Sequence, residues 1–203
     1  MLVPFHRTPA ARRFDGEMFE LALPAGPTPL VTPSELAPLA GALGIDAGKV
    51  LSHGSFMGGK FLFVELSGAD LARIRPDGAA IKALPSLGLI AMAEGAVVQH
   101  DGYVPECAVG EGAASEGAAG VKANFTCRNF IPNLGIDEDV ATGSIQVPLN
   151  AYWSAKLGKA QGEPLLCLQA SRRGGFVRSR SPGDGFVYVA GGAALSFSGA
   201  LPL

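Results

Sequence analysis

The chain has 203 residues and a formal net charge of -2, with 48% hydrophobic and 17% charged residues. This length and composition favour a folded protein of one or two domains and argue against a largely disordered chain. Because the chain has 16 Lys and Arg residues and 18 Asp and Glu residues, it lacks the basic excess of nucleic-acid-binding proteins. We therefore expect small-molecule chemistry. The three cysteines are too few for a disulfide framework or a CxxC metal site and are predicted to be reduced core thiols.

Localisation follows from the absence of long apolar runs in the sequence. No run approaches the roughly 20 residues that span a bilayer, and the N-terminus has no signal-peptide core. We expect a cytoplasmic protein without a membrane partner. A transit peptide remains an open alternative, because Arg7, Arg12 and Arg13 precede the first acid, Asp15.

The first predicted elements are a strand and a helix. Residues 16–25, "GEMFELALPA", alternate apolar and other side chains, as a half-buried strand does. Its alternating apolar residues are Phe19, Leu21 and Leu23. In "VTPSELAPLAGALGID", Thr32 is placed to cap a helix, Glu35 follows three residues later, and Gly44 suits the helix end.

The next segment has mixed α/β order. Residues 60–95 are predicted to contain an apolar strand, a helix from about Asp70, and a second strand over 89–93. Residues 108–120, "AVGEGAASEGAAG", are too poor in large apolar side chains to pack, which predicts an exposed loop.

The last third of the chain is predicted to wrap strands around one helix. "ANFTCRNFIP" favours a strand, and residues 145–157 favour a helix that is apolar on most faces and ends at Gly158. Such a helix is normally enclosed by other structure. The remaining residues read as short strands separated by Gly and Asp-Gly turns.

A candidate site lies where this helix begins. The turn Thr142-Gly143-Ser144 falls at the helix N-terminus, where backbone N–H groups lack helical partners and the helix dipole is positive. This turn is predicted to bind a carboxylate or phosphate. Asp139, just before the turn, is placed to move a proton at the carbon beside the bound anion. The plain alternative is that Thr142 or Ser144 only caps the helix and that Asp139 satisfies turn amides.

The sequence around this turn resembles the phenazine biosynthesis PhzF-like family of isomerases and epimerase relatives. "FTCRNFIPNLGIDEDVATGS" aligns with that family's pattern F-x-S-R-x-F-x-P followed by G-I-x-E-D-P-V-T-G-S. Further resemblance is carried by "AYWSAKLGK", "QASRRGGFVRSR" and "VAGGAALSFSGAL" downstream, and by "FELALPAGP" and "KFLFVEL" upstream. The resemblance covers the chain from about residue 16.

The resemblance implies an α+β fold of the diaminopimelate epimerase type, in which a twisted, mostly antiparallel sheet wraps around a central helix. It implies cofactor-independent proton transfer on a small carboxylate-bearing metabolite, with Asp139 catalytic and Thr142, Gly143 and Ser144 binding substrate. Metal is not expected. Epimerase relatives carry a cysteine ahead of the anion-binding turn, so Asp139 favours the PhzF-like branch.

The sequence departs from the family pattern around the turn and in its N-terminal part. Val140 and Ala141 replace Pro-Val, and Gln146 stands where His is frequent. The pattern's N-terminal Glu and G-H-A-T turn, which the resemblance leads us to expect as the opposing acid/base and anion-binding turn, do not occur in this sequence.

These departures predict an incomplete first lobe, with residues 1–30 as its remnant and 31–203 as the C-terminal lobe. Three hypotheses follow. The chain is an isomerase that either uses a substitute acid/base group, for which His6, Glu17 and Glu20 are the nearby candidates, or completes its site from another chain. Alternatively it is a silent lobe that binds a small carboxylate, or an assembly protein. Unpaired strand edges in residues 1–25 would favour pairing with another chain, so we expect a homodimer.

Overall fold

The computed structural model describes residues 12–14, 18–26, 35–95 and 123–192. The strands in these ranges are β1 (Arg12–Phe14), β2 (Met18–Pro24), β3 (Ser52–Phe56), β4 (Phe61–Glu65), β5 (Gly88–Glu94), β6 (Phe125–Phe130), β7 (Leu165–Gln169), β8 (Gly175–Arg180) and β9 (Phe186–Gly192). The α-helices are α1 (Leu36–Ala42), α2 (Gly68–Leu71), α3 (Gly78–Lys82) and α4 (Gln146–Lys156).

All of these strands join one sheet, in the order β1-β2-β9-β8-β7-β6-β5-β4-β3. Neighbouring strands are antiparallel except for the pairs β4–β5 and β6–β7, which are parallel. The predicted α+β fold with a mostly antiparallel sheet is therefore confirmed. The strand predictions for the last third of the chain are confirmed as far as residue 192, and residues 193–203 lie outside the described residues.

One face of the sheet packs around α4. Trp153 and Leu149 of this helix are fully buried against side chains from β3 through β9, such as Phe125 of β6 and Val189 of β9. The Trp153 ring stacks on Phe125 with centroids 5.2 Å apart. This packing confirms the predicted central helix. No described helix is long and apolar enough to cross a membrane.

Helices α1, α2 and α3 cover the opposite face of the sheet. Because both faces of β4 and β5 are covered, these strands are apolar almost throughout. The helix expected from Asp70 onward is in fact two short helices, α2 and α3. Asp77 begins α3 by accepting hydrogen bonds from the amides of Ala79 and Ala80.

The prediction for α1 is correct at its end and differs at its start. Gly44 has a left-handed φ of 65°, as a residue that ends a helix often does. Glu35 occupies the N-cap position instead of the third residue after a cap. Thr32 and the predicted loop at 108–120 lie outside the described residues.

Strand β2 buries an acidic residue more deeply than the apolar residues that its pattern predicts to be buried. Phe19 and Leu21 are 37% and 41% exposed, while Glu20 between them is 3% exposed. Glu20 accepts hydrogen bonds from the guanidinium of Arg180 at 3.0 to 3.3 Å. Of the predicted apolar set, only Leu23 packs against the core around α4. Charge pairing with β8 therefore decides which residue of β2 is most buried.

Candidate active site

The chain turns back on β6 before it enters α4. A 3-10 turn over Pro132–Leu134 ends at Gly135, which has a left-handed φ of 81°. The chain then returns, and the Asp139 amide donates to the carbonyl of Asn129 at 2.9 Å. This turn brings Asp139 beside the end of β6, close to the start of α4.

The Thr142 hydroxyl joins three polar side chains at this point. It donates to Oδ2 of Asp139 at 2.5 Å. It also accepts from Nδ2 of Asn129 at 3.0 Å and from Nε2 of Gln169 at 3.1 Å. Since its hydrogen points to the carboxylate, its oxygen can only accept, which fixes the amide orientations of Asn129 and Gln169.

Gln169 at the end of β7 holds the rest of the turn. Its Oε1 accepts from the Thr142 amide at 2.8 Å, and its Nε2 donates to the carbonyl of Asp139 at 2.8 Å. Both donors of Thr142 are therefore used inside the protein. Through these bonds Thr142 orients the Asp139 carboxylate. Its contact with substrate stays a prediction.

Gly143 and Ser144 are exposed and keep open backbone donors. Their amides have no hydrogen-bond partner among the residues that the structure describes. A methyl group built on Gly143 would meet only Val189 Cγ1, at 4.0 Å, and its φ is not left-handed. Neither its conformation nor its protein neighbours therefore require glycine here, whereas close approach of a ligand to the backbone would.

A bidentate ion pair fixes the segment before Asp139. Arg128 of β6 donates from Nε and Nη2 to the two carboxylate oxygens of Glu138, at 2.7 and 2.8 Å. Both side chains are mostly buried. The two adjacent carboxylates therefore have different surroundings. Glu138 is neutralised by a cation, whereas Asp139 forms no ion pair within the described ranges.

Sequence reasoning missed Asn129 and Gln169. Both are fully buried amides near the ends of otherwise apolar strands. The available signal was their polarity at positions where the strand alternation turns the side chain towards α4. Arg172 and Arg173 are both exposed in the bend that follows β7.

The cysteines and possible metal ligands lie elsewhere. Cys127 and Cys167 are free and buried, with their sulfurs 3.5 Å apart in the core. The hydrogen bond to Cys167, together with burial, raises the pKa of Cys127 well above its usual range. Cys127 is thus a packing residue, as expected. Among the described side chains, no three His, Cys, Asp or Glu cluster as metal ligands do.

Comparison with known proteins identifies relatives along the whole chain. Residues 11–199 match the family model described as phenazine biosynthesis-like protein, PhzC-PhzF. An uncharacterized isomerase of Pseudomonas aeruginosa is 30% identical over 94% of this chain and 60% of its own length. A phenazine biosynthesis-like domain-containing protein of Bos taurus is 42% identical over 38% of this chain and 26% of its own length.

A solved structure agrees with these sequence matches. The crystal structure of a PhzF-family phenazine biosynthesis protein from Enterococcus faecalis superposes with a TM-score of 0.68 and 26% identity. The match covers 96% of this chain and 61% of that one. The chain thus spans about three fifths of the length of the relatives that it matches end to end. These matches show that the chain belongs to the PhzC-PhzF family of phenazine biosynthesis-like proteins.

Proposed function

We propose that this chain carries one half of an isomerase- or epimerase-type active site that moves a proton on a small carboxylate-bearing metabolite without a cofactor. One observation supports the proposal above the others. The Asp139 carboxylate is half-buried, oriented by Thr142, and adjacent to the open amides of Gly143 and Ser144 at the start of α4.

The chemistry follows from this arrangement. A substrate carboxylate would accept hydrogen bonds from the amides of Gly143 and Ser144, where the helix dipole also favours negative charge. When Asp139 removes the proton from the adjacent carbon, negative charge spreads onto the carboxylate oxygens. Fixed donors stabilise that developing charge because they need no reorganisation during the reaction.

Inversion or migration of a proton generally needs a second acid/base group on the other side of the carbon. From the family resemblance we expect that group in an N-terminal Glu motif, which this sequence does not contain. We propose that another polypeptide segment supplies it, such as a second copy of this chain. Exchange of the substrate proton with solvent requires Asp139 alone, so it can be tested on this chain.

The experiment measures solvent deuterium incorporation at carbon 2 of small amino and hydroxy acids by NMR. Asp139→Asn should lower the incorporation rate by about 10²- to 10⁴-fold, as expected for loss of a general base. The asparagine oxygen can still accept from Thr142, so the turn should remain folded. The melting temperature provides that check.

Asp137→Asn is the matched control, because Asp137 is exposed and lies two residues away. It should incorporate deuterium at the wild-type rate. Equal slow incorporation by the wild type and both variants would contradict the proposal and leave only a binding role.

A second candidate function, assembly, is favoured by the exposed apolar side chains of β2. Leu21 lies opposite Val189 of β9, and a Cβ built on Gly143 would lie 4.0 Å from Val189 Cγ1. Only strand β9 therefore separates the apolar patch of Phe19 and Leu21 from the candidate site. Strand β2 itself is paired on both sides, so its side chains, and not its backbone edge, would contact a partner.

Sedimentation velocity of wild type and Leu21→Lys tests this candidate. If two copies associate through this patch, the substitution should shift a dimer to monomer. Leu51→Lys is the control, since Leu51 is 64% exposed just before β3, at the opposite edge of the sheet. A wild-type monomer would rule out a dimer of this chain, and a Leu21→Lys dimer would rule out this patch.

A further inference from the structure

The first helical residue of α4 carries a buried amide that the protein does not satisfy. Gln146 is 0% exposed, and neither its Nε2 nor its Oε1 has a hydrogen-bond partner among the described residues. A buried carboxamide without partners destabilises the folded state, and native structures contain few of them. Such a group calls for a specific explanation.

The helix geometry directs this side chain towards the candidate site. Side chains of an α-helix lean towards its N-terminus and cover the preceding turn. Gln146 therefore leans over the turn that contains Gly143 and Ser144. One turn later on the same side of the helix, the buried Asn150 amide donates to Ser179 at 3.1 Å and is anchored in the protein.

A second unpaired acceptor lies at this end of the helix. Oδ1 of Asn129 is buried without a partner, while Nδ2 of the same side chain bonds Thr142. Strand alternation puts Asn129 on the face of β6 that packs against α4, as it does Cys127. The unpaired amide groups thus concentrate beside Asp139 and the open amides, where the substrate is proposed to bind.

We propose that Gln146 is a specificity-determining residue that recognises a hydrogen-bonding substituent, amino or hydroxyl, on the carbon next to the substrate carboxylate. This inference rests on the proposed function and names its substrate class: 2-substituted small acids. The carboxamide both donates and accepts, so it can pair with either substituent. Gly143 favours this contact, because no Cβ covers the backbone between the bound carboxylate and the first helical turn.

The test compares binding of three probe acids of similar size, namely alanine, lactate and propanoate, by ligand-observed NMR. Wild type should bind alanine, lactate or both at least about tenfold more tightly than propanoate, the effect of one good hydrogen bond to a buried group. Alanine against lactate distinguishes the amino from the hydroxyl group. Gln146→Met should reduce this preference to about twofold or less while propanoate binding persists.

The melting temperature separates this proposal from a purely structural role for Gln146, in which its substitution would lower the melting temperature. Replacing an unpaired amide with an apolar side chain should leave the melting temperature unchanged or raise it, and Gln146→Leu is the second variant if methionine packs poorly. Asn150→Leu is the matched control: it should lower the melting temperature, because it removes an anchored amide, yet keep the preference among the acids.

The proposal is overturned if wild type shows no preference among the three acids, or if Gln146→Met retains the preference. It is also overturned if Gln146→Met and Gln146→Leu both lower the melting temperature at least as much as Asn150→Leu does. The binding measurement needs no turnover, so the two proposals can fail separately. If Gln146→Met loses the preference and no exchange depends on Asp139, recognition is supported and catalysis is rejected. If exchange depends on Asp139 and Gln146→Met keeps the preference, only recognition is rejected.

Discussion

The two ends of α4 each place a carboxylate beside a hydroxyl group, in opposite surroundings. At the N-terminal end, Asp139 accepts from Thr142 and is half-buried beside open amides. At the C-terminal end, Glu65 accepts from the Tyr152 hydroxyl at 2.6 Å and is 1% exposed. Lys156 forms an ion pair with the other oxygen of Glu65.

The C-terminal cluster has the features of a structural site. Both carboxylate oxygens of Glu65 have partners, and the ammonium of Lys156 lies in the last turn of α4, where the helix dipole favours a cation. Burial, reinforced by the hydrogen bond to Glu65, raises the pKa of Tyr152 to about 12. A tyrosine that holds its proton so firmly is poorly suited to acid/base chemistry near neutral pH.

The comparison teaches that a carboxylate–hydroxyl pair is not in itself a catalytic signature. Glu65 is neutralised and enclosed. Asp139 retains partial exposure, has no ion-pair partner in the described chain, and precedes the exposed residues Gly143 and Ser144, whose amides have no partner there. If this distinction is right, substitutions at the two ends should separate stability from activity.

The largest expected loss of stability is at the C-terminal end. Lys156→Met leaves the buried carboxylate of Glu65 with one partner and should cost about 2–3 kcal/mol in the free energy of unfolding, less than for a fully buried pair because Lys156 is partly exposed. Deuterium exchange should be unchanged. Urea denaturation measures the loss.

Lys159→Met is the control for that experiment, since Lys159 pairs with the more exposed Glu163. It should cost no more than about 0.5 kcal/mol. Similar losses for the two lysine variants would refute the structural role assigned to the Glu65 cluster.

At the N-terminal end, Thr142→Val should lower both stability and exchange. It removes the hydroxyl that orients Asp139 and leaves donors of Asn129 and Gln169 with fewer acceptors. We expect a loss of about 1–2 kcal/mol in the free energy of unfolding. Thr142→Ser keeps the hydroxyl and should recover most of both properties; if serine is as damaging as valine, the hydrogen bonds are not the cause.

Gly143→Ala is expected to lower exchange with little change in stability. Its stability should change by less than about 0.5 kcal/mol, because the new methyl group meets only Val189 at ordinary contact distance. Exchange should fall at least about tenfold, because the methyl group obstructs the backbone donors. Gly41→Ala, on an open part of α1, is the control and should leave exchange intact. Unaltered exchange in Gly143→Ala would exclude close ligand approach at this residue.

The smallest expected effect is a pH dependence at the C-terminal end. The pKa of Tyr152 is raised from 10.0 to about 12, so the folded state holds a proton that the unfolded state loses. This contribution to stability is complete below pH 10 and is lost as pH rises towards 12. Because the ring is partly exposed, we expect no more than about 1 kcal/mol.

Tyr152→Phe provides the measurement for that effect. The stability difference between wild type and variant, from urea midpoints at a series of pH values, should narrow as pH rises from 10 to 12. A constant difference across that interval would show that Tyr152 titrates normally.

Local sequence was sufficient where one pattern dominated. The enclosed helix α4 followed from apolar side chains on most of its faces, and Gly158 ends it with a left-handed φ of 62°. The turn before it was predicted because small and hydroxyl residues at a helix start leave backbone donors accessible. The family motif located Asp139 because it spans twenty contiguous positions, 125–144.

Tertiary structure decided what depends on residues distant in sequence. Gln169 accepts a hydrogen bond from the amide of Thr142, 27 positions earlier in the chain, and Arg180 pairs with the buried Glu20, 160 positions earlier. Periodicity reports which side chains share a face, but it does not report which face a distant polar partner will cover. The amino-acid sequence by itself determined the central helix, most of the strands and the acid beside the turn, although it did not indicate β3. The fold alone determined which donors remain open to a ligand, because a backbone donor is available only where no residue distant in sequence already accepts its hydrogen bond.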